Sequence, residues 1–71
     1  LNEHDNAALA YGKLIALEPN VGRWWLGSAV SLDSLGKFVP ARDAYKQAIA
    51  LSNLSMSAMQ FARQRLIELG E

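Results

Sequence analysis

Apolar residues recur at helical spacing in four segments of this chain. In the first, Ala7, Ala10, Tyr11, Leu14 and Leu17 make an i, i+3, i+4, i+7 stripe. Asp5 or Asn6 can cap its start, and Pro19 stops it. The second runs from about Val21 to Leu35 and ends at Gly36, a residue type that accepts the left-handed backbone found just past helix ends. The third starts near Phe38, with Pro40 in its first turn, where a missing N–H costs nothing. Its apolar stripe is Ala41, Ala44, Tyr45, Ala48 and Leu51, and the Ser52-Asn53 region ends it. Ser55 or Ser57 can cap the fourth, which runs to Leu69 before Gly70. The pattern predicts an all-α fold of four antiparallel helices, with turns near Pro19-Asn20, Gly36-Lys37 and Asn53-Leu54.

The stripes repeat. Shifting the chain by 34 residues against itself superposes Ala7 on Ala41, Ala10 on Ala44, Tyr11 on Tyr45, Ile15 on Ile49, Ala16 on Ala50 and Leu17 on Leu51. Leu1 meets Leu35, Leu32 meets Leu66, Leu35 meets Leu69 and Gly36 meets Gly70. The matches fall on small and apolar positions, where packing tolerates least. A 34-residue period with these landmarks resembles the tetratricopeptide (TPR) repeat. Trp25-x2-Ser28-Ala29-x2-Leu32 stands where W-x2-L-G-x2-Y falls, Leu35-Gly36 gives the turn, and Ala41-x3-Tyr45 gives the A-x3-F landmark. Asn53 takes the place of the final proline. The resemblance divides a single domain into a second-half helix (1–20), a complete repeat (21–54) and a first-half or capping helix (55–71). It implies a helix-turn-helix solenoid cut from a longer array. Arg63 departs from the pattern, because it occupies the small position that Ala29 fills one repeat earlier; it marks the fourth helix as terminal.

The small residues carry the expected packing. Ala29, Ala41 and Ala48 let helix axes approach, and Trp25 and Tyr45 fill the central pair, with Tyr11 repeating the role of Tyr45. Trp24, about 100° around the helix from Trp25, faces the place of a preceding repeat and is a candidate interface residue.

Composition narrows the function. The chain has 71 residues, of which 51% are apolar and 20% charged, a balance too apolar for disorder. Its uncharged runs are interrupted by polar residues, so this fragment has no direct route into a membrane. Seven basic residues balance seven acidic ones, which speaks against nucleic acid as a partner. There is no cysteine, so neither a disulfide framework nor a thiolate metal site exists. His4 is the lone histidine, with only Glu3 and Asp5 near it, short of a metal's three or four ligands. The serines lack a positioned base. No catalytic residue, cofactor or metal is expected, and the chain does not read as an enzyme.

The resemblance implies a protein-binding scaffold. In TPR arrays the first helix of each pair lines the concave surface, which here gives Arg23, Leu26, Val30, Asp33 and Ser34, then Gln60, Gln64 and Ile67, flanked by Ser57 and Glu68. Leu26 and Val30 stand where a clamp for a partner's C-terminal carboxylate would need donors. The mixed, partly apolar groove suits an amphipathic helix or apolar peptide segment. The alternative is a structural capping or self-association module. The incomplete ends carry Leu9 and Trp24 on one side and Phe61 and Leu66 on the other, so the fragment is expected to associate with itself at high concentration, by end-to-end stacking or exchange of a terminal helix. A narrower resemblance rests on Arg23-Trp24-Trp25-Leu26-Gly27-Ser28-Ala29-Val30-Ser31-Leu32-Asp33-Ser34-Leu35-Gly36 with Gln64-Arg65-Leu66-Ile67-Glu68-Leu69. These stretches look like the C-terminal TPR region of bacterial type IV pilus biogenesis proteins, notably the MshN-type proteins of the mannose-sensitive haemagglutinin pilus. That resemblance implies a role in a bacterial assembly complex associated with the inner membrane through a segment outside this one; without it, a cytoplasmic location is expected.

Overall fold

Each of the four apolar stripes becomes a helix: α1 (Glu3–Leu17), α2 (Gly22–Ser34), α3 (Phe38–Ala50) and α4 (Met56–Glu68). The computed structural model describes residues 3–70, so the Leu1–Leu35 match and the outermost domain boundaries lie outside the described residues. Among the described residues there is no strand, and the fold is all-α. The three turns fall where Pro19-Asn20, Gly36-Lys37 and Asn53-Leu54 place them.

The helix ends follow their cap chemistry. Gly36 adopts a left-handed φ of 77° after α2. Its N–H reaches the Asp33 carbonyl at 3.0 Å, and the Lys37 N–H reaches the Leu32 carbonyl at 2.9 Å. Those two bonds form a Schellman motif, which satisfies carbonyls the helix leaves open. Ser55 caps α4 by accepting the Ala58 N–H at 3.2 Å, so Ser55 rather than Ser57 is the cap. Pro40 sits in the first turn of α3. The start of α1 differs from expectation: Asp5 and Asn6 lie inside the helix, which already includes Glu3. An acidic first turn, Glu3 and Asp5, favours that longer start through the helix dipole.

Each helix packs against the next in sequence. The start of α2 meets the end of α3, where a side chain at Gly22 would strike Asn53 and approach the Ala48 carbonyl. Asn53, standing in the place of the repeat's final proline, holds the two loops together. Its Oδ1 accepts the Gly22 N–H at 2.9 Å and its Nδ2 donates to the Asn20 carbonyl at 2.8 Å. Val21, the residue before α2, offers no side-chain cap, so Asn53 satisfies that helix start from 31 residues away.

The core lies between α2, α3 and α4. Ala29, Ala41, Ala44, Tyr45, Ala62 and Leu66 form its buried cluster, with Trp25, Leu26, Leu32, Ile49 and Leu69 packed at its edge. Tyr45 is the large filler, fully buried. Trp25, expected beside it, is only partly buried and anchors its indole N–H on the Pro19 carbonyl at 2.7 Å. Leu66, expected on an open end face, is buried, because α4 turns it toward α3. No residue of α1 is fully buried, whereas α3 buries four.

Candidate binding cleft between the first two helices

Gly27 shapes a hollow between the first two helices. A side chain there would collide with the Tyr11 ring, which lies flat over the bare α2 backbone. With Tyr11 drawn down, α1 and α2 leave a cleft of about 600 Å³ lined by Glu3, His4, Ala7, Tyr11, Arg23, Trp24, Leu26, Gly27, Val30 and Ser31. Leu26 and Val30 supply its apolar floor, Val30 being 37% exposed. At the start of α2 the Arg23 guanidinium sits over the Trp24 ring, 5.2 Å from its centre. At the opposite end, where α1 begins, stand Glu3 and His4. The Trp24 indole N–H is buried without a hydrogen-bond partner among the described residues.

The residues expected to form one groove do not stay together. Arg23, Leu26 and Val30 line the cleft together with Trp24. Asp33 points elsewhere: its carboxylate accepts the Tyr45 hydroxyl at 3.0 Å and two guanidinium N–H bonds from Arg65 at 2.8 and 2.7 Å. Arg65 also donates to Glu68 at 2.7 Å, one turn along α4. Ile67 lines a separate hollow between α3 and α4 with Ile49, Arg63 and Leu66. Gln64 donates to Glu68, while Ser34 and Gln60 are exposed and border neither hollow. Asp33 therefore holds α2 against α3 and α4 rather than facing a ligand.

Charge follows that geometry. Burial pushes the Tyr45 phenol up to about 12, and the Asp33 carboxylate beside it adds to the effect. Hydrogen bonds that Arg65 donates to Asp33 and then to Glu68 raise its guanidinium above its ordinary value. The Arg65 bond lowers Glu68 below the ordinary carboxylate range. None of these groups lines the cleft.

The α1 side of the cleft, with Gly27 and Ser31, was missed in the sequence. The signal present there is Gly27 itself, a helix-interior glycine one turn from both Trp24 and Ser31. Among the described residues no group of three His, Asp or Glu could hold a metal ion, and no helix is long and apolar enough to cross a membrane. Comparison with protein-family models, curated proteins and solved structures returns no match.

Proposed function

We propose that this chain is a TPR-type protein-interaction scaffold whose α1/α2 cleft receives an amphipathic helix of a partner protein. One observation carries the reading: the chain already fills an equivalent site with a helix. Shifted by 34 residues, the cleft residues Ala7, Tyr11, Gly27 and Ser31 become Ala41, Tyr45, Phe61 and Arg65. Three of them meet α2, and Phe61 backs Tyr45. Ala41 and Tyr45 share a core with Ala29, Phe61 meets the Tyr45 ring edge-on at 6.1 Å, and Arg65 binds Asp33. A helix laid in the cleft as α2 lies on α3 and α4 runs beside α2 and opposite to α1. Its first turn then approaches Arg23 and its last turn Glu3, so a carboxylate early and a base late in the partner suit the two ends. The sequence resemblance to pilus biogenesis proteins supports reading such a scaffold as part of a bacterial assembly complex.

The test uses a synthetic peptide with the sequence of residues 20–36 in which Asp33 is replaced by Leu, since Ser31 stands in the cleft where Arg65 would otherwise meet that carboxylate. Titrated into isotope-labelled protein, it should shift the resonances of Arg23, Trp24, Leu26 and Val30 saturably, and Val30→Glu should abolish the effect. Shifts confined to α3 and α4, or none at millimolar peptide, would remove the basis for the cleft.

The second reading, a structural end module, is favoured by one residue on α4, Arg63.

A further inference from the structure

The same 34-residue shift makes the two ends of the chain complementary, except at one position. α4 is the repeat equivalent of α2, and α1 of α3. The α4 helix of one copy is therefore shaped to enter the α1/α2 cleft of another, as α2 enters its own site. In that seating Leu66 takes the place of Leu32. Ile67, 63% exposed, takes the place of Asp33 and meets Tyr11 and Ser31 where Asp33 meets Tyr45 and Arg65. An isoleucine between a tyrosine ring and a serine needs no ionic partner, so these positions match.

Position 63 does not. Its equivalent is Ala29, which is 0% exposed and shares the core with Ala41 and Ala44. In the stack, Arg63 would face Ala7 and Ala10 of the next copy, the equivalents of those alanines. Helices close enough for alanine to meet alanine leave no room for an arginine side chain, and burying its charge there adds a desolvation penalty. Arg63 is exposed and makes no ion pair or hydrogen bond among the described residues, so its charge does not serve this fold.

We propose that Arg63 is a stop residue: it prevents two copies of this chain from stacking head to tail and so keeps the α1/α2 cleft free. Such a stack is heterologous, so without a stop each added copy leaves one donating and one receiving end open to the next. A charge on the outer face of the last helix forbids it, the way a polar terminal face keeps a helical array finite. On this proposal, stacking of the open ends is the behaviour of a chain lacking Arg63.

Four samples test this by sedimentation from micromolar to millimolar concentration, with helicity checked by circular dichroism. The unaltered chain should remain one chain in mass. Arg63→Ala, or Arg63→Ser as a second small replacement, should give masses of two chains and upward as concentration rises. Adding Val30→Glu to Arg63→Ala closes the receiving cleft and should return a single chain. Mixed with the unaltered chain, that double variant can donate α4 but not receive, so the mixture should form a 1:1 pair and stop. Folded Arg63→Ala that stays monomeric at millimolar concentration overturns the proposal. So does an unaltered chain that associates as strongly as Arg63→Ala, or a double variant that still associates alone. The cleft peptide separates the two readings. Peptide binding without stacking rejects the role of Arg63 alone, whereas failure of both rejects the cleft.

Discussion

Asp33 binds three helices into one body. It sits near the end of α2, and its carboxylate takes the Tyr45 hydroxyl of α3 and a two-pronged grip from Arg65 of α4. Its side chain is 15% exposed, so little water competes. Asp33→Ala leaves the Tyr45 hydroxyl unpaired and Arg65 with Glu68 alone, and should lower stability by about 1–3 kcal/mol in urea denaturation. Tyr45 adds a pH dependence. The unfolded phenol loses its proton near 10, and the folded one holds it to about 12. The folded state therefore binds more protons in that window, and stability falls as pH rises from 10 to 12. Tyr45→Phe should flatten that part of the curve; an unchanged alkaline slope in this variant would assign the titration elsewhere. The tryptophan pair behaves differently again. Trp25→Phe strands the Pro19 carbonyl and should cost about 1 kcal/mol, whereas Trp24→Phe removes a buried unpaired N–H and should be neutral or stabilising. Equal losses in thermal melts would contradict these partner assignments. At this scale the sequence showed residue types but not partners. The helical register put Asp33 on a groove face, and its pairing with Arg65 appears only once α4 lies beside α2.

The helix boundaries were legible wherever the cap is local. Gly36, Pro40 and Ser55 each announce an end through their own backbone or side chain. Two boundaries were not legible in this way. The first turn of α2 is satisfied by Asn53 of the last loop, and the start of α1 precedes both expected caps. The end of α3 shows a compromise: Ser52 takes a left-handed φ of 58°, the position where Gly36 and Gly70 serve α2 and α4. A side chain in that region costs roughly 1–2 kcal/mol. Ser52→Gly should therefore raise stability by up to about 1 kcal/mol, after the extra chain entropy glycine carries when unfolded. Gly36→Ala, forced into the same region, should lower it by about 1 kcal/mol or more. Thermal melts of the two variants must move in opposite directions. If Ser52→Gly destabilises, the Ser52 hydroxyl is doing something that its backbone angle does not reveal.

Stability across the whole molecule should be uneven, and the unevenness points to the cleft. The buried cluster joins α2, α3 and α4, while α1 contributes no fully buried residue and meets the rest mainly through α2. Leu9 and Leu17 of α1 are 59% and 80% exposed, so much of its apolar surface gains nothing from folding. The sequence did not show this contrast, because the stripe of α1 matches that of α3 residue for residue at Ala7, Ala10 and Tyr11. What differs is the surroundings: α3 is covered by α2 and α4, and α1 by α2 alone. Segments with few buried contacts open locally, ahead of global unfolding. Backbone amides of α1 should accordingly exchange with solvent fastest among the helices, and those of α3 slowest. A helix seated in the cleft would cover Ala7 and Tyr11 as α2 covers Ala41 and Tyr45. Binding that requires an ordered α1 must shift its opening equilibrium. The exchange rates of α1 should then slow by the factor that peptide saturation dictates, while those of α3 change little. Protection in α1 equal to that in α3 without any peptide would show that α1 is held by more than its contact with α2, and that the cleft is a finished surface rather than a place for a helix.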